Sequence, residues 1–114
     1  MAKVTLVSYG KKHGSLTTPP PDLVLDATML RNPFGKRHLH DLNGKHPDIH
    51  KFVSEDPAWG PLIRRVVREA ADCAVIGVYC MGGNHRSVAV VEEAAKVLTV
   101  DGYEVEIIHR NIKE

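Results

Sequence analysis

The shortages in this sequence exclude more than its abundances do. Only two of the 114 residues are cysteine, Cys73 and Cys80, and they flank the apolar run Ala74–Tyr79. An extended strand advances about 3.3 Å per residue, which holds two such thiols too far apart to bridge. Reduced thiols are expected. No close cysteine pair is followed by a histidine pair at zinc spacing, so neither a metal nor a cofactor is expected. No apolar run approaches the roughly 20 residues of a membrane span. The opening Met1-Ala2-Lys3 leads straight into a strand-like run, without the long apolar stretch and cleavage site of a signal peptide. These shortages predict a cytoplasmic protein with no membrane contact. Net charge is lacking too: it is +1 with histidine neutral, which does not by itself mark a nucleic-acid binder.

What is present is one domain's worth of chain, long enough to bury a core without staples. A hydrophobic share of 43% against 25% charged residues is ordinary for a globular fold. Seven histidines are more informative. His38, His40, His46 and His50 share one segment with Lys36, Arg37, Lys45 and Lys51. A solvated, flexible loop is the plainer reading of that segment; a basic surface that gains charge below neutral pH is the sharper one.

Val4–Ser8 is rich in β-branched and aliphatic residues and predicts a first strand, ended by Gly10. Lys11–Pro21 is turn and loop, broken by Gly14 and the run Pro19-Pro20-Pro21. Leu23–Leu25 predicts a short buried strand ending at Asp26, and Asn32-Pro33 another break. Residues 34–58 are polar and punctuated by glycine and proline, with a short helix about Asp48–Ser54 after Pro47. Gly60-Pro61 opens a second helix, since proline suits a first turn. Leu62, Ile63, Val66, Val67, Ala70 and Ala71 mark its core face, and Arg64, Arg65, Arg68 and Glu69 its wet face. Ala74–Cys80 is nearly continuous apolar, the mark of a strand buried on both faces in a parallel sheet. A helix over Arg86–Thr99 follows, with Val88, Val91, Ala94, Ala95 and Leu98 inward, stopped by Asp101-Gly102. Tyr103–Ile108 is the last strand. The fold class is therefore α/β: a single domain over residues 1–114, with a mostly parallel sheet and right-handed crossovers.

The chemistry concentrates in Cys80-Met81-Gly82-Gly83-Asn84-His85-Arg86-Ser87, between a buried strand and a helix. The first turn of a helix has unpaired N–H groups and the positive end of a dipole. Gly82 and Gly83 let the backbone turn sharply and approach a ligand. Asn84, Arg86 and Ser87 add donors, and the Arg86 fork matches phosphate oxygens. His85 adds a further bond or partial charge. The loop reads as a pocket for a phosphate-like anion. The bland alternative is a glycine turn capped by Ser87, with Arg86 and His85 in solvent.

The run from Cys80 to Val88 resembles the Gly-Cys-Thr-Gly-Gly-Lys/Gln-His-Arg-Ser-Val signature of the C-terminal domain of the RapZ (YvcJ-like) family. Ser8-Tyr9-Gly10 with Lys12 and Gly14 is similar to that family's Ser-Phe-Gly-x-Lys-x-Gly opening. Asp26 with Leu30, Asn32 and Pro33 resembles its Asp-x-Arg-Phe-Leu-x-Asn-Pro segment, and His109-Arg110 the pair that closes its last strand. The resemblance covers nearly the whole chain. It implies a domain that senses a phosphosugar such as glucosamine-6-phosphate in an RNase adaptor that binds RNA. It also adds Ser8, Asp26 and Asn32 to the ligand-binding set Gly82, Gly83, Asn84, His85, Arg86 and Ser87. The family's P-loop ATPase domain has no counterpart motif here, so a free-standing domain without ATP hydrolysis is expected. Thr28, Phe34 and Met81 depart from the family's Arg, His and Thr, and the basic tail is reduced to Ile112-Lys113-Glu114. The departures bear on the sugar and on RNA. An RNA or RNase partner and a homo-oligomer stay open.

Two other readings compete with a ligand binder. Five residues separate Cys80 from Arg86, and Ser87 follows, which is the Cys-x5-Arg-Ser/Thr spacing of tyrosine-phosphatase-like enzymes. A thiolate at a helix N-terminus would be stabilised there, with Asp26 or Asp41 as candidate general acids. Tyr79 stands where such enzymes carry histidine before the nucleophile. A plain RNA-binding module would use Arg64, Arg65, Arg68, the His/Lys segment and Arg110. The expectation is a binder rather than an enzyme.

Overall fold

The computed structural model describes residues 2–114; Met1 of the opening tripeptide lies outside them. Four strands and three α-helices alternate as β1 (Lys3–Gly10), β2 (Leu23–Asp26), α1 (Pro47–Ser54), α2 (Trp59–Glu69), β3 (Val75–Cys80), α3 (Arg86–Val100) and β4 (Glu104–His109). The strands form one sheet in the order β2-β3-β1-β4, and every pairing is parallel. No helix among the described residues is long and apolar enough to cross a membrane.

Period-two alternation sorts the strand side chains between two unequal faces. Val4 and Leu6 of β1, Leu25 of β2, and Ile76 and Val78 of β3 pack with all three helices in the main core. Val7 and Tyr9 point the other way, where Leu16 covers them beside Val75, Tyr79 and Ile108. Leu16 belongs to the β1–β2 connection, so that irregular segment is the second layer. Both faces of β3 are covered, as its continuous apolar run predicts.

Three details differ from the sequence reading. Helix α2 begins at Trp59, one residue before Gly60, because Asp56 organises the turn: its Oδ1 accepts from the Ala58 N–H (2.8 Å) and its carbonyl from the Trp59 N–H (3.0 Å). Helix α3 is buried at every position from Arg86 to Val91, not along a stripe, because the sheet covers one flank and α1 and α2 the other. The polar segment after Asn32 keeps most of its residues exposed, as a solvated loop would, but it is folded on itself. It runs as successive turns, with Lys36, Leu39 and Leu42 N–H groups returning to the carbonyls of Pro33, Lys36 and Leu39, and it buries Leu39.

The topology fixes where a ligand can sit. From β1 the chain leaves over the Leu16 face to reach β2. From β3 it leaves over the helix face to reach β4. These adjacent strands, paired at Gly10 and Cys80, therefore send their C-terminal loops in opposite directions. Such a switch point opens a crevice at the carboxyl ends of the strands.

Candidate functional site

The crevice at the β1/β3 switch point is a cleft of about 390 Å³ lined by Lys12, His13, Asn32, Phe34, His40, Asp41, Cys80, Met81, Gly82, Asn84, His85, Arg86 and Lys113. Its floor is the loop from β3 into α3. The loop passes over β1 so closely that neither Gly10 nor Gly83 has room for a side chain. A Cβ on Gly10 would sit 2.5 Å from the Gly82 carbonyl carbon, and one on Gly83 would meet the Gly10 amide and lie 2.7 Å from the Tyr9 carbonyl carbon. Gly83 also has φ +76°, a conformation that favours glycine. Gly82 has only the Lys12 side chain within 4 Å of its Cβ position and faces the cleft.

The loop leaves its donors free. Among the described residues, no protein acceptor receives the backbone N–H groups of Gly82 through Ser87. Helix α3 has no side-chain cap: its N-cap is His85, and Ser87 lies inside the first turn rather than before it. The capped-turn alternative is thereby corrected. Arg86 is buried, not solvated, and its Nη1 donates to the carbonyls of Thr28 (2.7 Å) and Leu30 (3.3 Å). No buried side-chain nitrogen or oxygen among the described residues lacks a partner, so the rest of the Arg86 fork is not sealed in the interior. His85 is buried beside it. Burial is the main cause that pushes its imidazole below the ordinary range; the Leu42 and His40 carbonyls oppose this, and the charges of His40 and Arg86 add to it.

The other wall comes from the 28–46 segment and the C-terminal residues. Asn32 accepts the Phe34 N–H through Oδ1 (3.0 Å) in a 3₁₀ turn over Pro33–Gly35. His40 meets the Phe34 ring edge-on, with centroids 4.2 Å apart. Asn84 joins three parts of the chain: its carbonyl accepts from Gly44 N–H (2.7 Å), and its Oδ1 from Lys113 N–H (2.8 Å). Asn43 Nδ2 in turn donates to the Lys113 carbonyl at 3.1 Å.

Of the nine residues expected to bind ligand, Asn32, Gly82, Asn84, His85 and Arg86 come together in the cleft. The other four do not line it. Gly83 is turned onto β1. Ser87 is fully buried, its Oγ 3.1 Å from Cys80 Sγ. Ser8 faces the helices, with Oγ 2.6 Å from His109 Nδ1, and His109 Nε2 is 2.8 Å from Glu92 Oε2. Asp26 ends the edge strand and lines a separate depression with Met29, Arg65 and Arg68. Burial opposes its ionisation, but hydrogen bonds from Thr28 and Tyr79 and the Lys11 charge hold its carboxyl below the ordinary range.

The histidine segment also resolves into separate roles. His40 lines the cleft. His46 caps α1, its Nδ1 accepting from the Asp48 N–H (3.1 Å). His50 pairs with Glu93 at 3.0 Å and stands edge-on to Trp59. Sequence reasoning did not assign Lys12, His13, His40 and Lys113 to the site; it had Met81 in the loop, linked Phe34 and Met81 to the sugar through the resemblance, and offered Asp41 only as a phosphatase acid. Lys12 follows the first strand in the matched opening motif, which was the one signal available for it; the rest depend on long-range packing.

A family model described as the RapZ C-terminal domain matches residues 2–113. A nucleotide-binding protein of Paramagnetospirillum magneticum is 38% identical over 104 residues, covering 82% of this chain and 34% of that protein. Another from Rhodospirillum rubrum is 35% identical over 118 residues, 94% of this chain and 36% of its own length. A third from Deinococcus radiodurans is 36% identical over 124 residues, 96% and 42% respectively. The chain thus spans only about a third to two fifths of these relatives. With the glycine loop, the parallel sheet and the near-complete match in agreement, this chain belongs to the RapZ C-terminal domain family.

Proposed function

We propose that the cleft binds a phosphorylated small molecule, a phosphosugar of the glucosamine-6-phosphate kind, and that occupancy regulates an RNA or RNase partner in the cytoplasm. One observation carries the reading: the strand-to-helix loop whose backbone N–H groups have no protein acceptor lies with Arg86 at the switch-point cleft. Such a helix N-terminus is a ready anion site. The phosphate takes the Gly82–Arg86 amides and the free part of the Arg86 fork. Asn84 and His85 border it, and Lys12 and Lys113 add positive charge. Gly83 and Ser87 serve the same site by shaping the loop. The relatives named nucleotide-binding proteins make nucleotides the natural competitors in any ligand screen.

The test is thermal stabilisation by inorganic phosphate, sulfate, glucosamine-6-phosphate, unphosphorylated glucosamine and a nucleoside monophosphate. A ligand that binds only the folded state raises Tm. Stabilisation by the phosphorylated compounds, absent with glucosamine and lost in Arg86→Ala, is the expected result. No stabilisation by any anion rejects the proposal.

The phosphatase reading retains one supporting observation, since Cys80 contributes to the cleft at the head of a Cys-x5-Arg loop. Against it, the residue is only 2% exposed, and its sulfur is engaged with Ser87. A nucleophile needs an accessible thiolate in line with phosphorus. Of the two candidate acids, Asp41 lines the cleft and Asp26 does not.

A further inference from the structure

The depression of about 420 Å³ between the end of β2 and helix α2 shares no lining residue with the cleft. Its base is apolar, with the nearly buried Leu25 and Leu62, and Met29 stands beside them 54% exposed. A contiguous apolar surface of this kind, rimmed by charge, marks a contact site. Its two sides are fastened to each other by one carboxylate. Asp56 Oδ2 accepts the Arg31 N–H (2.9 Å) on the β2 side, and Oδ1 accepts the Ala58 N–H (2.8 Å) at the start of α2. The turn that carries Met29 is fixed as well. Thr28 N–H donates to Asp26 Oδ1 (2.6 Å), and Arg86 holds the Thr28 and Leu30 carbonyls on either side of Met29. The groove is therefore preformed, which lowers the ordering cost of binding.

Charge selects the occupant. Arg65 and Arg68 lie on one face of α2 and line this groove. Among the described residues they share one ion-pair partner, Glu69, at 3.9 Å from Arg65 Nε and 3.8 Å from Arg68 Nε. The outer nitrogens of both forks are left open. The groove's other carboxylate, Asp26, is committed to hydrogen bonds from Thr28 and Tyr79 and to the Lys11 charge. We infer that the groove docks a protein partner through a segment that joins an apolar side chain to Asp or Glu. The apolar side chain fills the base beside Met29, whose flexible thioether adapts to varied shapes. The carboxylates take the open guanidinium forks, whose geometry matches them. An apolar anchor ringed by arginines is a common way to read an acidic segment. RNA is served worse, because its bases need aromatic platforms and no aromatic residue lines this groove. The inference stands apart from the phosphate reading.

Selection of a random short-peptide library on the immobilised chain, followed by affinity measurements on the enriched sequences, tests this. The enriched peptides should place Leu, Ile, Phe or Met beside Asp or Glu. They should bind a variant carrying both Arg65→Ala and Arg68→Ala about tenfold more weakly than the wild type, and Met29→Ser about threefold more weakly. The backbone amide shifts they induce should fall on Met29 and on Leu62–Arg68, away from Gly82–Ser87. The absence of a shared sequence, a basic shared sequence, or affinities untouched by both variants overturns the inference. So do shifts confined to the glycine loop. Oligouridine bound more tightly than any peptide, with steep salt dependence and loss in the arginine variant alone, assigns the surface to RNA instead. Met29, Arg65 and Arg68 are exposed, so these substitutions should not disturb folding, which circular dichroism checks.

Discussion

The two walls of the cleft are built on opposite principles. The Met81–Arg86 wall is mostly backbone, positioned by glycines that allow it to rest on β1. The wall from Asn32 to Asp41 is mostly side chain, positioned by turns whose order depends on Leu39 and Pro33 being buried. A backbone wall offers donors that no side-chain substitution removes, and it is vulnerable only where the chain must pass close. A side-chain wall can change its chemistry residue by residue without loss of fold. On the proposed reading, the difference separates binding an anion from choosing what the anion is attached to.

The comparison breaks most violently at Gly83. Alanine there meets the Gly10 amide and Tyr9 carbonyl and must adopt φ +76°. The strained backbone alone costs about 1–3 kcal/mol, before the clash is counted. Urea unfolding should show a large fall in midpoint for Gly83→Ala and a much smaller one for Gly82→Ala, whose Cβ position is open. Equal losses at the two positions would contradict the close approach to β1.

Arg86 links the walls, so its loss should be felt by both. Arg86→Ala leaves the Thr28 and Leu30 carbonyls without their donor, a cost of about 1–3 kcal/mol in stability. It should also weaken phosphate binding by about 1.5–3 kcal/mol. The sequence alone predicts an intact fold for this variant; the structure adds the stability loss. Denaturation and titration of the same sample separate the two, and a variant altered in neither would sink the assigned role.

A smaller effect follows from His85. Its pKa is lowered in the folded state by burial, so below about pH 6.5 the unfolded chain binds the proton more readily. The His85 contribution to stability is therefore present above about pH 6.5 and lost as pH falls through the folded value. His85→Gln should flatten that part of the pH–stability curve relative to wild type. A steeper fall in the variant would reverse the sign and refute the assignment.

The smallest expected effect is at Cys80. Serine there should keep ligand affinity, because a binder needs the loop's curve and Arg86, not the sulfur. The wild type should not hydrolyse p-nitrophenyl phosphate between about pH 5.5 and 7, where a Cys-dependent phosphatase would be expected to work. Turnover that disappears in both Cys80→Ser and Arg86→Ala would falsify the binder reading and promote the enzyme.

Much of the glycine-loop wall was legible in the sequence. A continuous apolar strand, two glycines and a cluster of donors are local signals, and backbone chemistry at a helix N-terminus acts over a few residues. The fold of the opposing wall was not legible, although the resemblance named Asn32: Leu39 and Leu42 are the apolar residues in a stretch of charged and histidine residues too short to establish a period. Helix α3 was legible in extent and incomplete in burial: a single stripe is what one covering layer predicts, and this helix has neighbours on two sides.

The sequence by itself determined the order of strands and helices, the strand-to-helix glycine loop and the family, because each is written in contiguous residues. Strand order, side-chain facing and the far wall of the cleft were decided only by tertiary structure. Ser8 alternates onto the helix face, where β4 brings His109 to it, so it leaves the cleft despite preceding Gly10 by two residues. Asp26 is carried away because β3 inserts between β2 and β1 and sets β2 at the sheet's edge. Both outcomes depend on pairings between residues far apart in the chain. Local pattern carries the facing of a residue only once its neighbours across the sheet are known.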